Sequence, residues 1–478
     1  MPDNHHAPTK RHARHAAAIA GLAAILALTL LVGLPINLQR AAFDQQTFHL
    51  PTIHAFADQL PPRDPPLNLT DYRSATTPAW HLALAAIHLT LDPFLPSTTA
   101  SLRLFNALLT AALAALLAGA VATRLANTAP PTRRTVPIAL LLTAPLLANL
   151  YALASAGWLL PDNAAWLLAA AALIALDRTR LSPPVIATAS VAVLLAVATR
   201  QTHIWTAALL YAALWLHPIK TTPADLPDLN RSLRFLTTRL PERLASLAVA
   251  VALTIPAWAL LSAFALAWGG LVPPTFQTQS NDPSTGALLP QNTGLSPAMP
   301  AVTLALLGIY APFTLITLQR PLRHLLAKAP TKVLATTAAA AIAAAIIALV
   351  PNTTYSTDLG RSSGIWNITR RIELFDHTSP IMVALAAAGG AAIALYARLL
   401  PPTPRLLYAV AIAGPTAAHI ANANAWPRYT DPIILITLAL ATATALAHTR
   451  TSPKASLIGP AALALLHTAV TLSKLSWQ

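Results

Sequence analysis

Four short stretches carry the residues best able to do chemistry. Asp44 lies in Phe43-Asp44-Gln45-Gln46-Thr47-Phe48-His49-Leu50-Pro51, shortly after the first apolar block, and Asp162 lies in Leu159-Leu160-Pro161-Asp162-Asn163. Arg200 opens Arg200-Gln201-Thr202-His203 between two apolar segments, and Arg428 sits in Trp426-Pro427-Arg428-Tyr429-Thr430-Asp431. A carboxylate just beyond a membrane exit is placed to face a lipid-linked substrate whose phosphate lies at the interface. A guanidinium offers paired donors that match a phosphate, and an arginine near the bilayer core is costly enough to read as functional. Each residue also has a plainer explanation. Asp44 could be a solvated loop residue, Asp162 a helix cap, Arg200 a cation snorkelling to the headgroups and Arg428 part of an interfacial aromatic anchor. The order of the apolar blocks puts both carboxylates at similar depth on one side, and that pairing favours chemistry.

The elements that must position these residues are membrane helices. Apolar residues make up 55% of the 478-residue chain and charged residues only 10%, against about a quarter charged in soluble proteins. Runs such as 16–34, 333–350 and 433–447 approach or reach the roughly 17–25 residues that cross a bilayer as a helix. They are rich in Ala and Leu, both good helix formers. There is no extended period-two alternation of the kind a barrel needs. The expected fold class is an all-α integral membrane protein, a polytopic helical bundle. About thirteen spans are expected, near 16–37, 101–123, 136–157, 163–177, 183–199, 203–217, 245–267, 298–318, 333–350, 381–399, 405–423, 432–448 and 456–473. A basic cytoplasmic tail over 1–15 precedes a single polytopic domain over 16–478. No small-residue cleavage site follows the first apolar block, so it is read as a retained anchor.

The net charge of +15 is dispersed among short loops, which is a topology signal and not a nucleic-acid footprint. Cysteine is absent, which removes disulfides, thiolate nucleophiles and Cys-based metal sites. His5, His6, His12 and His15 read as part of a solvated basic tail, and no catalytic metal site follows from spacing. Asn68, Asn352 and Asn367 each start an Asn-x-Thr string, the glycosylation-acceptor pattern. One segment decides the topology. Reading 78–91 as a span puts Arg124, Arg133 and Arg134 outside, whereas reading it as an interfacial helix puts them inside with most of the Lys and Arg. The positive-inside rule selects the interfacial helix. His81 and His88, seven apart, then share one face of it. The loops 38–100, 269–297 and 351–380 fall outside, and the basic loop 217–245, with Arg231, Arg234, Arg239 and Arg243, falls inside against anionic headgroups.

At these residues the chain resembles the GT-C superfamily of polyprenyl-phosphate-sugar glycosyltransferases. It is most similar to the family of the eukaryotic α-1,2-glucosyltransferase that completes the lipid-linked N-glycan precursor. That family's acidic pair before Phe-His-hydrophobic-Pro is matched by Asp44-Gln45 before Phe48-His49-Leu50-Pro51, and its Thr-Thr-Pro by Thr76-Thr77-Pro78. Its Leu-Arg-Leu-x-Asn string is met by Leu102-Arg103-Leu104-Phe105-Asn106, and Arg-Gln-Thr-Asn-hydrophobic-Trp by Arg200-Gln201-Thr202-His203-Ile204-Trp205. Gly269-Gly270 and Arg428-Tyr429 match further strings in order. The chain departs from the pattern at Gln45 and His203, and its acidic residue stands one residue farther from the His.

The resemblance implies juxtamembrane helices in the first outer loop and an inverting hexosyltransferase. A hexose, glucose in the family, would pass from a polyprenyl-phosphate donor to an extracytoplasmic glycan or lipid-linked acceptor. Asp44 would be the base, Asp162 an acceptor-orienting group or alternative base, and Arg200 with Gln201 and Arg428 with Tyr429 would bind the donor. His49 would position the sugar or Asp44. The lipid-linked sugar is the only co-substrate implied, with no nucleotide, no nucleic-acid partner and the metal requirement open. Short loops point to a prokaryotic plasma membrane. Two alternatives stand beside this. One is a transporter or flippase of a lipid-linked or anionic solute, for which Pro256 and Gly389-Gly390 would be helix breaks. The other is a catalytically inactive scaffold of the same fold, suggested by Gln45.

Overall fold

The computed structural model describes residues 6–33, 36–61, 67–94, 98–126, 134–178, 181–216, 240–277, 295–349, 364–369, 371–372, 378–422, 425–449 and 457–477. His5, Arg133, Arg231, Arg234, Arg239 and the Asn352 string lie outside the described residues. The helices are α1 (His6–Gly33), α2 (Gln39–Asp44), α3 (Leu50–Asp58), α4 (Ala79–Leu91), α5 (Thr98–Ala126), α6 (Thr135–Ala148), α7 (Leu150–Gly157), α8 (Asp162–Leu176), α9 (Pro183–Thr199) and α10 (Ala207–Leu216). They continue with α11 (Leu240–Trp268), α12 (Pro274–Gln277), α13 (Met299–Thr317), α14 (Gln319–Lys328), α15 (Pro330–Leu349), α16 (Trp366–Thr369), α17 (Pro380–Leu399), α18 (Pro402–Ile420), α19 (Asp431–His448) and α20 (Ile458–Leu472). The only strand pairing among the described residues is two residues long, Ile36–Asn37 against Ser476–Trp477.

The chain is an all-helical, multi-pass membrane protein. Among the described residues seven helices are long and apolar enough to cross a membrane, and up to eight if α6 and α7 form one span. Alanine- and leucine-rich segments satisfy their backbone hydrogen bonds internally, as lipid demands. Position in the bundle then follows from which faces find protein. Of its most apolar window, 83% of α19 is buried against 17% for α11 and for α15, so α19 is the central post and the other two form the lipid-facing rim.

Two features differ from expectation. The run 136–157 is not a straight span: α6 and α7 meet at a 71° bend. Asn149 takes an extended conformation there, and its side chain accepts from the backbone N–H of Tyr151 and Ala152, starting α7 afresh. Pro145, one turn earlier, has already weakened α6. Conversely, Gly389-Gly390 breaks nothing. Helix α17 runs through both glycines, and a Cβ at Gly389 would run into the backbone of Leu304 and Gly308 on α13. The glycines are where helices touch backbone to backbone, the small-residue packing of membrane bundles. Pro256 likewise lies inside an unbroken α11.

Segment 78–91 is the 13-residue α4, too short to span and packed against α3, α5 and α9.

Candidate active site

Asp44 and His49 are placed by one continuous helical run after α1. Helix α2 ends at Asp44, residues Gln45–His49 form a π-turn, and α3 follows. In an α-helix, residues five apart diverge by about 140°. The wider π-turn returns the fifth residue to nearly the same face, so Asp44 and His49 line the same cavity. The His49 Nδ1 and His81 Nε2 atoms share a hydrogen bond at 3.0 Å across α3 and α4. Burial, then the positive charges of Arg428 and Arg200, pull the His49 pKa from 6.5 down to about 3, so its imidazole is neutral.

Asp44 is buried, at 7% exposure, which removes the reading as a solvated loop residue. Its Oδ2 accepts from Arg428 Nη1 at 3.3 Å, and its Oδ1 lies 3.6 Å from Arg40 Nε one turn earlier. Asp162 begins α8 but makes no side-chain cap. It forms an ion pair with Arg200, which leaves the end of α9 in extended conformation. The Arg200 guanidinium lies 5.3 Å from the Tyr429 ring centre, and Arg428 lies 4.4 Å from that of Trp426. Such stacking holds a planar cation while leaving its edge available. Tyr429 itself stacks on His419 at 4.3 Å.

Gln201 works differently from the arginine beside it. Its Nε2 donates to the carbonyls of Ala75 at 2.7 Å and Leu271 at 2.8 Å. Its Oε1 accepts from Thr77 N–H at 3.1 Å, while the Thr77 hydroxyl donates to Val197 O at 2.6 Å. The carboxamide is fully occupied as a brace that joins the loop before α4, the end of α11 and the α9–α10 joint. Gln45 is also a brace, its Oε1 accepting from Leu159 N–H at 3.1 Å.

All seven residues singled out in the sequence, Asp44, His49, Asp162, Arg200, Gln201, Arg428 and Tyr429, line one cavity of about 410 Å³. A second cavity of about 450 Å³ adjoins it. Arg40, Asp44, Leu160, Asp162, Trp426 and Arg428 line both, so both carboxylates and the two arginines beside Asp44 form the wall where the cavities meet. One chamber adds Arg200, Gln201, His49 and Tyr429 to apolar groups such as Phe48 and Phe276. The other presents Tyr151, Asn367 and Lys474. Arg40 and Arg428 at this wall, with Arg200 beside it, set three guanidiniums against two carboxylates, so the place suits an anion. No group of three or more His, Asp or Glu side chains that could hold a metal ion occurs among the described residues.

Sequence reading missed Arg40, Lys474, His81 as the partner of His49, and the second chamber. Arg40 was findable, because Arg at i and Asp at i+4 face each other on a helix. Lys474 and Tyr151 carry no local signal, since only the fold brings them near. Comparison with family models, curated proteins and solved structures returned no match.

Proposed function

We propose that the chain is an inverting glycosyltransferase of GT-C type that moves a hexose from a polyprenyl-phosphate donor to a hydroxyl acceptor. One observation carries this: both carboxylates stand with Arg428 in the common wall of two adjoining cavities, and Arg200, paired with Asp162, faces one of them. A displacement between two bound substrates needs that arrangement, with a base and a phosphate-holding cation between separate chambers. The chamber that also holds Arg200 and Tyr429 suits the phosphate of the lipid-linked donor, and the one that holds Tyr151, Asn367 and Lys474 suits the acceptor.

Asp44 is assigned as the base, and Asp162, paired with Arg200, as the group that orients the acceptor. The acceptor oxygen attacks the anomeric carbon as Asp44 takes its proton. The bond from that carbon to the phosphate oxygen breaks, and polyprenyl phosphate leaves with the electron pair. Arg200 and Arg428 hold the departing charge. A single displacement inverts the anomeric configuration. His49, neutral and fixed by His81, positions Asp44 or the sugar. The one-residue-longer spacing from Asp44 to His49, relative to the family the chain resembles, is taken up by the π-turn.

The proposed orientation puts this wall on the extracytoplasmic side of a prokaryotic plasma membrane, across about thirteen spans. Basic residues such as Arg124, Arg323, Lys328 and Arg398 lie at the other end of the bundle, which supports it. Transport is the second reading, favoured by the broken α6–α7 pair and by the Asn149–Asp431 hydrogen bond of 3.0 Å buried beside it. The purified protein in proteoliposomes, given a panel of polyprenyl-phosphate hexoses and acceptors, separates the two. Release of polyprenyl phosphate with an inverted glycosidic product supports transfer. Movement of intact lipid-linked sugar across the bilayer without cleavage supports transport.

A further inference from the structure

Among the described residues, the end of the bundle opposite the cavities gathers exposed cations on one short helix. Helix α14 is a ten-residue amphipathic segment between two long helices. It turns Leu322 and Leu325 toward the core and leaves Arg320, Arg323, His324 and Lys328 exposed. Beside it, at the end of α17 and the start of α18, the guanidiniums of Arg398 and Arg405 are close enough to repel each other. Arg398 donates to Thr336 Oγ1 on α15 at 3.3 Å. Arg405 donates to Leu400 O at 2.8 Å, and its Nε is buried without a partner.

The described parts of α13, α14, α15, α17 and α18 contain no Asp or Glu. Two described acids lie at this end, Glu242 at the start of α11 and Asp177, which is already taken. Its Oδ2 accepts from Arg124 Nη2 at 2.5 Å and from Tyr408 OH at 2.5 Å, and Tyr408 is three residues beyond Arg405. Two arginines at one helix joint, neither paired with an acid among the described residues and one with a buried unspent donor, suit an anion from outside. At the rim of a membrane protein, beside an amphipathic cationic helix, the anion within reach is a phospholipid phosphate.

We propose that Arg398 and Arg405, with the cationic face of α14, form a binding site for the headgroup of an anionic phospholipid. The site is remote from the cavities and does not depend on the catalytic reading. Its physical consequence is a clamp: a phosphate shared by Arg398 and Arg405 ties α17, α18 and, through α14, the loop joining α13 to α15.

The test uses the full chain purified in a neutral detergent. Native mass spectrometry with phosphatidylglycerol or phosphatidylcholine added is expected to show an adduct retained with the first and not the second. Thermal unfolding is expected to shift upward with phosphatidylglycerol alone. Both effects are lost in an Arg398→Gln/Arg405→Gln double variant and largely kept in Arg398→Lys/Arg405→Lys. Equal retention of the two lipids by the wild-type chain, or an undiminished shift in the Gln variant, overturns the proposal. So does an equal shift with inorganic phosphate, which would make the site one for free phosphate. The wild-type comparison stands even where a variant fails to fold.

Discussion

At the scale of single residues, the two ion pairs are not equivalent, and the difference assigns their roles. Arg200 is clasped to Asp162 and lies over Tyr429, so it is a planar cation fixed in one pose. Lys cannot reproduce that fork or that stacking. Arg200→Lys is therefore expected to weaken binding of the polyprenyl-phosphate donor about tenfold, the equivalent of about 1.4 kcal/mol, with a smaller change in the rate of the bound complex. Titration calorimetry with the donor in nanodiscs, beside single-turnover kinetics, measures the two separately. Arg40 is the opposite case. It is mostly exposed and lies 3.6 Å from Asp44, and a surface contact of that length contributes little energy. Arg40→Gln is expected to leave stability unchanged within experimental error.

At the scale of elements, the site is held by braces more than by the residues that face the cavity. Gln201 makes three hydrogen bonds to backbone groups of two other segments, the loop before α4 and the residues after α11. Gln201→Ala leaves those buried groups unpaired and is expected to cost roughly 1–3 kcal/mol, read as a lower melting temperature, and to loosen the loop before α4 to proteolysis. The His49–His81 contact joins α3 to α4 in the same way, and its pH dependence has a definite sign. The pKa of His49 is depressed by burial first and then by Arg428 and Arg200, from 6.5 to about 3. The unfolded chain therefore takes up the proton first. The stabilisation is present above about pH 6.5 and is lost as pH falls toward 3. Across that window the wild-type melting temperature is expected to fall more steeply than that of His49→Gln. Sequence reading found Gln201 through its neighbours but assigned it to substrate, because a free carboxamide and a bracing one look the same in one dimension. It also placed Asp44 in a loop. The π-turn has no composition signal, since it is set by what α2 and α3 pack against.

At the scale of the whole molecule, the fold class and helix positions were legible because lipid imposes a simple rule on composition. The expected segments are largely helical among the described residues, and α4 is a short helix of 13 residues. The bend at Asn149 was missed because length and hydropathy average over it. Pro145 followed by Asn149 is the local signal that marks it. The packing role of Gly389-Gly390 was misread as a break for a related reason: a glycine that bends a helix and one that admits a neighbour differ only in what lies opposite. The charged wall between the two chambers draws on α2, α8 and the turn before α19, with the α9–α10 joint behind it, so it exists only in the assembled bundle. The central claim is that Asp44, in this wall, deprotonates the acceptor. Asp44→Asn removes the base while keeping its shape and its place beside Arg428. In a single-turnover assay with saturating polyprenyl-phosphate hexose and acceptor, transfer is expected to fall by about 10²–10⁴-fold, with donor affinity retained. Transfer at the wild-type rate in Asp44→Asn would contradict the account.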